Sequence, residues 1–238
     1  MPNKQRHRGR HPEDDMLFSE RRLPRLRAGA ADLSFLYTRG YAEKASIKLV
    51  GDHYQLDARQ RMALQRTACS DAALQRRRDH CVDAGLLEGA ILAIDGYNFL
   101  ITIESALAGG ILIEGRDGCI RDLASLHGAY HRVEETLPAV VQAGQCLVRL
   151  GVGRAMWYFD APVSNSGRLR ALLLETAEEH NWPWGAELLP NPDHFLASCE
   201  VVVVSSDSAI LDKAERWANP LPILLAQLRP APSVLRLF

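Results

Sequence analysis

Ile91-Leu-Ala-Ile-Asp-Gly-Tyr-Asn98 is the stretch that decides the fold. Four apolar residues end at an aspartate, and the glycine after it lets the backbone turn sharply off a strand. Two more apolar runs end in the same way: Met156-Trp-Tyr-Phe159 stops at Asp160, and Val201-Val-Val-Val204 reaches Asp207 through two serines. Helical segments separate these runs, so the sequence predicts an α/β fold with a parallel sheet and helices on both faces.

The three aspartates indicate where chemistry takes place. Open parallel sheets place their sites in the crevice beyond the carboxyl ends of the strands. Asp95, Asp160 and Asp207 are therefore expected to meet at one edge, where they repel one another unless a divalent cation or a shared proton neutralises them. We interpret this as a metal-dependent site that cleaves phosphodiesters, with RNA as the substrate. For each aspartate alone, a turn or helix cap is the structural alternative.

Two further acids are candidates for the same site. Glu104 lies among apolar residues of the helix that comes after the first strand, where an unpaired carboxylate is costly and needs a cation or an arginine. Asp122 comes after a hairpin that can fold over the crevice, although a helix cap explains it equally well. Turn chemistry fully explains Asp117 in Gly115-Arg-Asp-Gly118, and Asp193 is a loop acid with a weak claim.

Polar residues near the strand ends are candidates for substrate binding. Asn98 is a good N-cap whose side chain can also face the crevice. Ser164, Ser166 and Arg168 open a helix, where hydroxyls, free N–H groups and a guanidinium hold a phosphate well. Ordinary N-capping of the helix by one of the two serines explains their presence equally well.

Charge is distributed unevenly along the chain. Residues 1–80 hold 17 Lys and Arg against 10 Asp and Glu, a net +7, whereas residues 81–238 hold 11 against 19, a net −8. A basic front suits contact with a polyanion. Arg59 and Arg61, in a helical stretch of about 57–80, are expected to hold the phosphate backbone without reading its sequence.

The predicted organisation is a flexible basic arm over 1–27, a small helical domain over 28–84 and an α/β domain over 85–238. Helical segments are expected at about 122–135 and 207–217. Five widely spaced cysteines without a C-x-x-C pair indicate free thiols. No run reaches the roughly 18 apolar residues of a membrane span, and the first residues lack an apolar signal stretch. We therefore expect a cytoplasmic protein without a membrane partner; the sequence does not address its oligomeric state.

The block Ile94-Asp-Gly-Tyr-Asn98, together with Glu104, Asp160 and Ser206-Asp-Ser208, resembles the PIN-like nuclease superfamily, including its NYN branch. Residues 91–210 also look like the C-terminal part of an uncharacterised prokaryotic family. The segment from Ala31-Asp-Leu-Ser-Phe-Leu-Tyr-Thr-Arg-Gly-Tyr41 to Arg59-Gln-Arg-Met62 looks like its N-terminal domain, domain of unknown function 434.

The resemblance implies a Rossmann-like, PIN-like sheet, preceded by a small all-α domain, whose acids bind Mg²⁺ or Mn²⁺ and cut RNA. The implied metal ligands are Asp95, Glu104, Asp160 and Asp207. Asp207 departs from the pattern because it lies two residues beyond its strand. A metal-dependent ribonuclease is therefore the first hypothesis. A non-catalytic RNA-binding or ribosome-associated adaptor is the second, and a metal-dependent phosphatase the third.

Overall fold

The computed structural model describes residues 7–124 and 130–238. Eight strands are present in this part of the chain: β1 (Ile91–Asp95), β2 (Leu112–Glu114), β3 (Ile120–Asp122), β4 (Arg154–Asp160), β5 (Trp184–Leu189), β6 (Val202–Val204), β7 (Trp217–Ala218) and β8 (Val234–Arg236). Five of them form a parallel sheet in the order β5-β4-β1-β6-β7. The chain thus builds outward from β1 on one side and then returns to build outward on the other. The predicted parallel sheet is confirmed.

Eleven α-helices accompany the strands in the described residues: α1 (Asp14–Leu17), α2 (Leu23–Thr38), α3 (Glu43–His53), α4 (Ala58–Thr67), α5 (Asp71–Asp79), α6 (Gly96–Leu107), α7 (Thr136–Arg149), α8 (Ser166–Glu179), α9 (Pro192–Ala197), α10 (Ser208–Leu211) and α11 (Leu221–Leu225). Alternate residues of β1 enter different cores, since Leu92 and Ile94 pack in one cluster and Ala93 in another. Helices α6, α7, α8 and α11 cover the first face, and α9 and α10 cover the second.

A second, smaller sheet has the order β3-β2-β8. Strands β2 and β3 form the expected antiparallel hairpin, and Gly118 takes a φ of +78° at its turn, a conformation that suits glycine. Strand β8 runs parallel to β2 and was not predicted. It brings Leu237 into the core of the N-terminal helices, so the end of the chain packs against its beginning.

The helices differ from the prediction in two places. The single helix expected over 57–80 is two helices, because Ser70 accepts a hydrogen bond from the Ala73 N–H and starts α5 afresh. A helix was also expected over about 122–135, of which residues 125–129 lie outside the described part. Asp122 ends a strand, and the described residues between Asp122 and Thr136 form no helix. No helix of the described residues is long and apolar enough to cross a membrane.

The predicted flexible arm over 1–27 needs correction from His7 onward; residues 1–6 lie outside the described part. Arg8 is buried against the α/β region, and most of residues 14–27 belong to α1 and the start of α2. The physical reason is charge, because Arg8 pairs with the buried carboxylate of Glu104. The boundary between residues 84 and 85 stays a prediction.

Candidate functional site at the carboxyl edge of the sheet

Asp95 and Asp160 lie on the same face of the sheet. Asp95 is paired with Tyr158, so Asp160 lies two residues further along the neighbouring strand. Ala93 and Tyr158 both belong to the core that packs under α9 and α10. Because side chains alternate with a period of two, the carboxylates of Asp95 and Asp160 project toward that same face.

The gap between β1 and β6 is the point where the strand order reverses. From β1 the chain continues into α6 on one face, and from β6 it continues into α10 on the other. Such a reversal opens a crevice at the carboxyl ends of the strands. In this crevice Ser205 donates its hydroxyl hydrogen to Asp95 Oδ2 over 2.8 Å. The Ser206 N–H and hydroxyl both donate to Asn98 Oδ1, over 2.9 and 2.7 Å.

Two more aspartates border the crevice. Asp207 precedes α10 and accepts a hydrogen bond from the Ala209 N–H on Oδ1, over 2.7 Å. Asp193 stands in the first turn of α9, on the face to which Asp95 and Asp160 project. From the sequence, Asp193 is a loop acid with a weak claim to the site. Its signal was the run Pro190-Asn-Pro-Asp193 at a helix start, which capping explains equally well.

Electrostatics connects these four aspartates. Burial, together with the negative charges of Asp207 and Asp193, raises the pKa of Asp95 from 3.8 to about 7. Burial also raises the pKa of Asp160. The pKa of Asp193 is raised by burial and by its neighbours Asp207 and Asp160. Within the described residues none of the four forms an ion pair, so their negative charge is uncompensated.

The fit to a divalent cation depends on the mode of binding. Among the described residues, no three His, Cys, Asp or Glu side chains are close enough to enclose an ion. Magnesium, however, keeps several waters and is commonly held by one or two carboxylates together with substrate phosphates. Asp95 and Asp207 lie near enough for the charge of Asp207 to raise the pKa of Asp95, and among the described residues neither carboxylate forms an ion pair. The pair fits this open mode and does not fit a closed protein cage.

Tyr97 was not assigned a role from the sequence. Its hydroxyl is buried, and no described residue is in hydrogen-bonding geometry with it, although Asp160 and Ser166 lie next to it. Burial first, and then the charge of Asp160, raise the pKa of Tyr97 to about 12. The phenol therefore stays neutral and keeps a hydrogen to donate beside Asp160.

Glu104 does not join the candidate site. It lies about 12 Å along α6 from Gly96, at a rise of about 1.5 Å per residue, and α6 covers the opposite face of the sheet. Its carboxylate pairs with Arg8 and accepts hydrogen bonds from the hydroxyls of Tyr130 and Thr136, the latter over 2.6 Å. The sequence predicts a cation or an arginine as the partner of this buried glutamate, and the partner in the structure is an arginine.

Asp122 is also held elsewhere. It accepts hydrogen bonds from the Thr102 hydroxyl at 3.2 Å and the Ala124 N–H at 2.7 Å, beside the second turn of α6. Asp117 is more than a turn residue, because Arg77 and Arg121 both bind its buried carboxylate and hold its pKa at about 2, below the ordinary value. Arg121 also donates to the Ser206 carbonyl over 2.8 Å, next to the crevice.

The arginines expected to bind phosphate have different surroundings. Arg59 donates two hydrogen bonds to the fully buried Asp14 and a third to the Leu123 carbonyl, so its guanidinium is occupied by the fold. Arg61 binds Asp52 over 2.8 Å and the Leu56 carbonyl over 2.9 Å, while staying partly exposed. The prediction for Arg59 is therefore corrected, and that for Arg61 stays a prediction.

The loop after Asp160 keeps most of its predicted residues accessible. Ser164 and Arg168 are exposed, whereas Ser166 is buried and its hydroxyl reaches the Ala161 carbonyl at 3.5 Å. Neither serine caps α8, since Asn165 occupies the cap position with a φ of +68° and makes no capping hydrogen bond. The amide oxygen of Asn98 is used to bind Ser206.

Comparisons with known proteins match two segments of the chain. Residues 25–80 match the family described as "Protein of unknown function (DUF434)", which confirms that resemblance. Residues 84–222 match "Domain of unknown function (DUF5616)". "Uncharacterized protein MJ0935" of Methanocaldococcus jannaschii is 28% identical over 180 residues, 76% of this chain and 86% of that protein. No solved structure matches the chain, and the likeness to PIN-like nucleases stays a prediction. Because the second match covers more than half of the sequence, the protein belongs to the DUF5616 family.

Proposed function

We propose that the protein is a metal-dependent ribonuclease whose reacting groups are the aspartates at the carboxyl edge of the sheet. The observation that carries this proposal is the group Asp95, Asp160, Asp193 and Asp207, which form no ion pair among the described residues; burial first, and then the negative charges of Asp207 and Asp193, raise the pKa of Asp95 to about 7. Strongly perturbed carboxyl groups in a crevice are typical of functional sites. The strand order, which reverses between β1 and β6, supports a Rossmann-like, PIN-like architecture.

Asp95 and Asp207 would hold Mg²⁺ or Mn²⁺ through carboxylate oxygens, with waters and a substrate phosphate completing the shell. A bound cation of this kind supplies positive charge that activates water and offsets the negative charge developing on the phosphate. Ser205 orients one oxygen of Asp95 by its hydrogen bond. Asp160, beside the neutral phenol of Tyr97, would accept a proton from the attacking water.

A nuclease assay on mixed single-stranded RNA tests the proposal, with Mg²⁺, Mn²⁺ or EDTA. The wild-type protein is expected to cut with either cation and to be inactive in EDTA. The double variant Asp95→Asn/Asp160→Asn is expected to lose the cleavage. Glu200→Gln is the matched control, because this exposed acid lies at the amino end of β6, on the opposite edge of the sheet. Equal cleavage by the wild type and the double variant would reject the proposal.

A non-catalytic RNA-binding adaptor is the second candidate. The absence, among the described residues, of three acids close enough to enclose an ion favours it. The two candidates differ in their response to metal, because a ligand that binds only the folded state raises the melting temperature by mass action. The nuclease proposal requires Mn²⁺ to raise the melting temperature of the wild type but not of Asp95→Asn/Asp207→Asn. The adaptor requires salt-sensitive RNA binding without any such rise.

A further inference from the structure

An open cavity of about 340 Å³ lies beside the loop that comes after Asp160. One wall is the segment 130–132, which contributes His131 and Arg132, and the other is the start of α8, which contributes Asn165 and Arg168. Asn165 lies five residues after Asp160, and five fully extended residues span at most about 17 Å. The cavity therefore lies no further than this from the aspartate edge.

The two arginines of this cavity have free charges. Both are exposed, and neither forms an ion pair with any carboxylate. Every Asp and Glu of the chain lies within the described residues 7–124 and 130–238. Arg59 and Arg61, by contrast, are bound to Asp14 and Asp52. The cavity therefore carries positive charge that the protein itself does not neutralise.

The walls are joined by hydrogen bonds that fix the two chain segments carrying Arg132 and Arg168 next to each other. The Asn165 side-chain amide donates to the Tyr130 carbonyl over 3.0 Å, and the Tyr130 N–H donates to the Ser164 carbonyl over 3.3 Å. Tyr130 is itself anchored, because its buried hydroxyl binds Glu104. Because the two segments are held together, both arginines reach the same cavity, and an anion bound there does not have to bring the two walls together.

We propose that this cavity binds the phosphate backbone of a single-stranded nucleic acid that extends from the aspartate edge. Arg132 and Arg168 each bind a phosphate through paired N–H groups, which positions the strand without reading its bases. The inference rests on the proposed function, since it assigns the polymer that the aspartates would cut. The distance to the edge is therefore short enough for a few nucleotides of one strand to reach from the cavity to the aspartates.

The test measures binding in EDTA, so it does not depend on cleavage. A fluorescein-labelled 12-nucleotide oligouridylate is titrated by anisotropy at several salt concentrations with the wild type, Arg132→Gln, Arg168→Gln and the double variant. Each substitution is expected to weaken binding at least about threefold and to lower the slope of log K against log salt by about 0.7. Arg170→Gln is the matched control, because Arg170 is an exposed arginine of α8 outside the cavity.

The outcomes separate this inference from the proposed function. No binding by the wild type, an unchanged slope in the double variant, or an equal loss in Arg170→Gln overturns the inference. Binding that depends on both arginines, without cleavage in Mn²⁺, supports the cavity and rejects the nuclease. Melting temperatures equal to that of the wild type show that the exposed substitutions have not unfolded the protein.

Discussion

Replacing Asp95 by asparagine is expected to stabilise the protein above neutral pH, although it removes the central acid of the candidate site. The wild type must keep a buried carboxylate ionised beside the charges of Asp207 and Asp193. Asparagine has nearly the same shape. Its oxygen can accept the Asn98 N–H, and the Ser205 hydroxyl can rotate to accept from the new amide. The variant therefore removes the charge and keeps the hydrogen bonds.

The magnitude comes from the pKa of Asp95, which rises from 3.8 to about 7 on folding. Between these values the unfolded chain has released its proton while the folded protein retains it, so stability falls as the pH rises. Above about pH 7 both states are ionised and the loss is complete. At about 1.4 kcal/mol for each pH unit, the loss amounts to about 4 kcal/mol. Asp95→Asn should therefore gain about 4 kcal/mol relative to the wild type between pH 4 and pH 8.

Urea denaturation monitored by tryptophan fluorescence measures this difference at each pH, in EDTA. The gain in free energy of unfolding corresponds to about 8–16 °C in melting temperature for a chain of this size. Glu200→Gln, an exposed acid, should show no such trend. A free-energy difference between Asp95→Asn and the wild type that does not change from pH 4 to pH 8 would refute the reasoning, since it would mean that burial does not perturb Asp95.

Three further predictions concern the framework around the site. Arg8→Ala leaves Glu104 buried without its cation and should lower the free energy of unfolding by about 3–5 kcal/mol, with part of the loss recovered in Arg8→Ala/Glu104→Gln. A loss under about 1 kcal/mol in a urea titration would show that the segment containing Arg8 is not docked. The ion pairs of Asp117 stabilise the fold above about pH 4, and about 2 kcal/mol of the free energy of unfolding should be lost as the pH falls through about 2. In an acid titration of Asp117→Asn this loss of stability should be absent. Gly144→Ala should destabilise the protein by about 1–3 kcal/mol, because the added methyl group meets the Trp182 ring. Gly167→Ala, with open space around it, should gain up to about 1 kcal/mol of stability from helix propensity. Equal melting temperatures for the two variants would contradict the packing.

Sequence patterns were sufficient for the elements that carry a strong local signal. The apolar run that forms β1 ends at Asp95 as predicted, and the helix expected after this strand corresponds to α6. The helix expected over 207–217 is only the four-residue α10, and the apolar run Leu221-Pro-Ile-Leu-Leu225 forms the helix α11. Short apolar runs do not distinguish strand from helix by periodicity, and the neighbours that decide the matter are distant in sequence.

The sequence by itself determined the α/β class and the placement of Asp95, Asp160 and Asp207 after parallel strands, because apolar runs and the residues that end them are local properties. Only the tertiary structure decided which carboxylates stay unpaired. Glu104 pairs with Arg8, nearly a hundred residues earlier in the chain, and Asp117 pairs with Arg77. Asp193, by contrast, lies near the like charge of Asp207. Whether a buried charge is neutralised depends on groups brought within a few ångströms by folding, and local sequence does not contain that information.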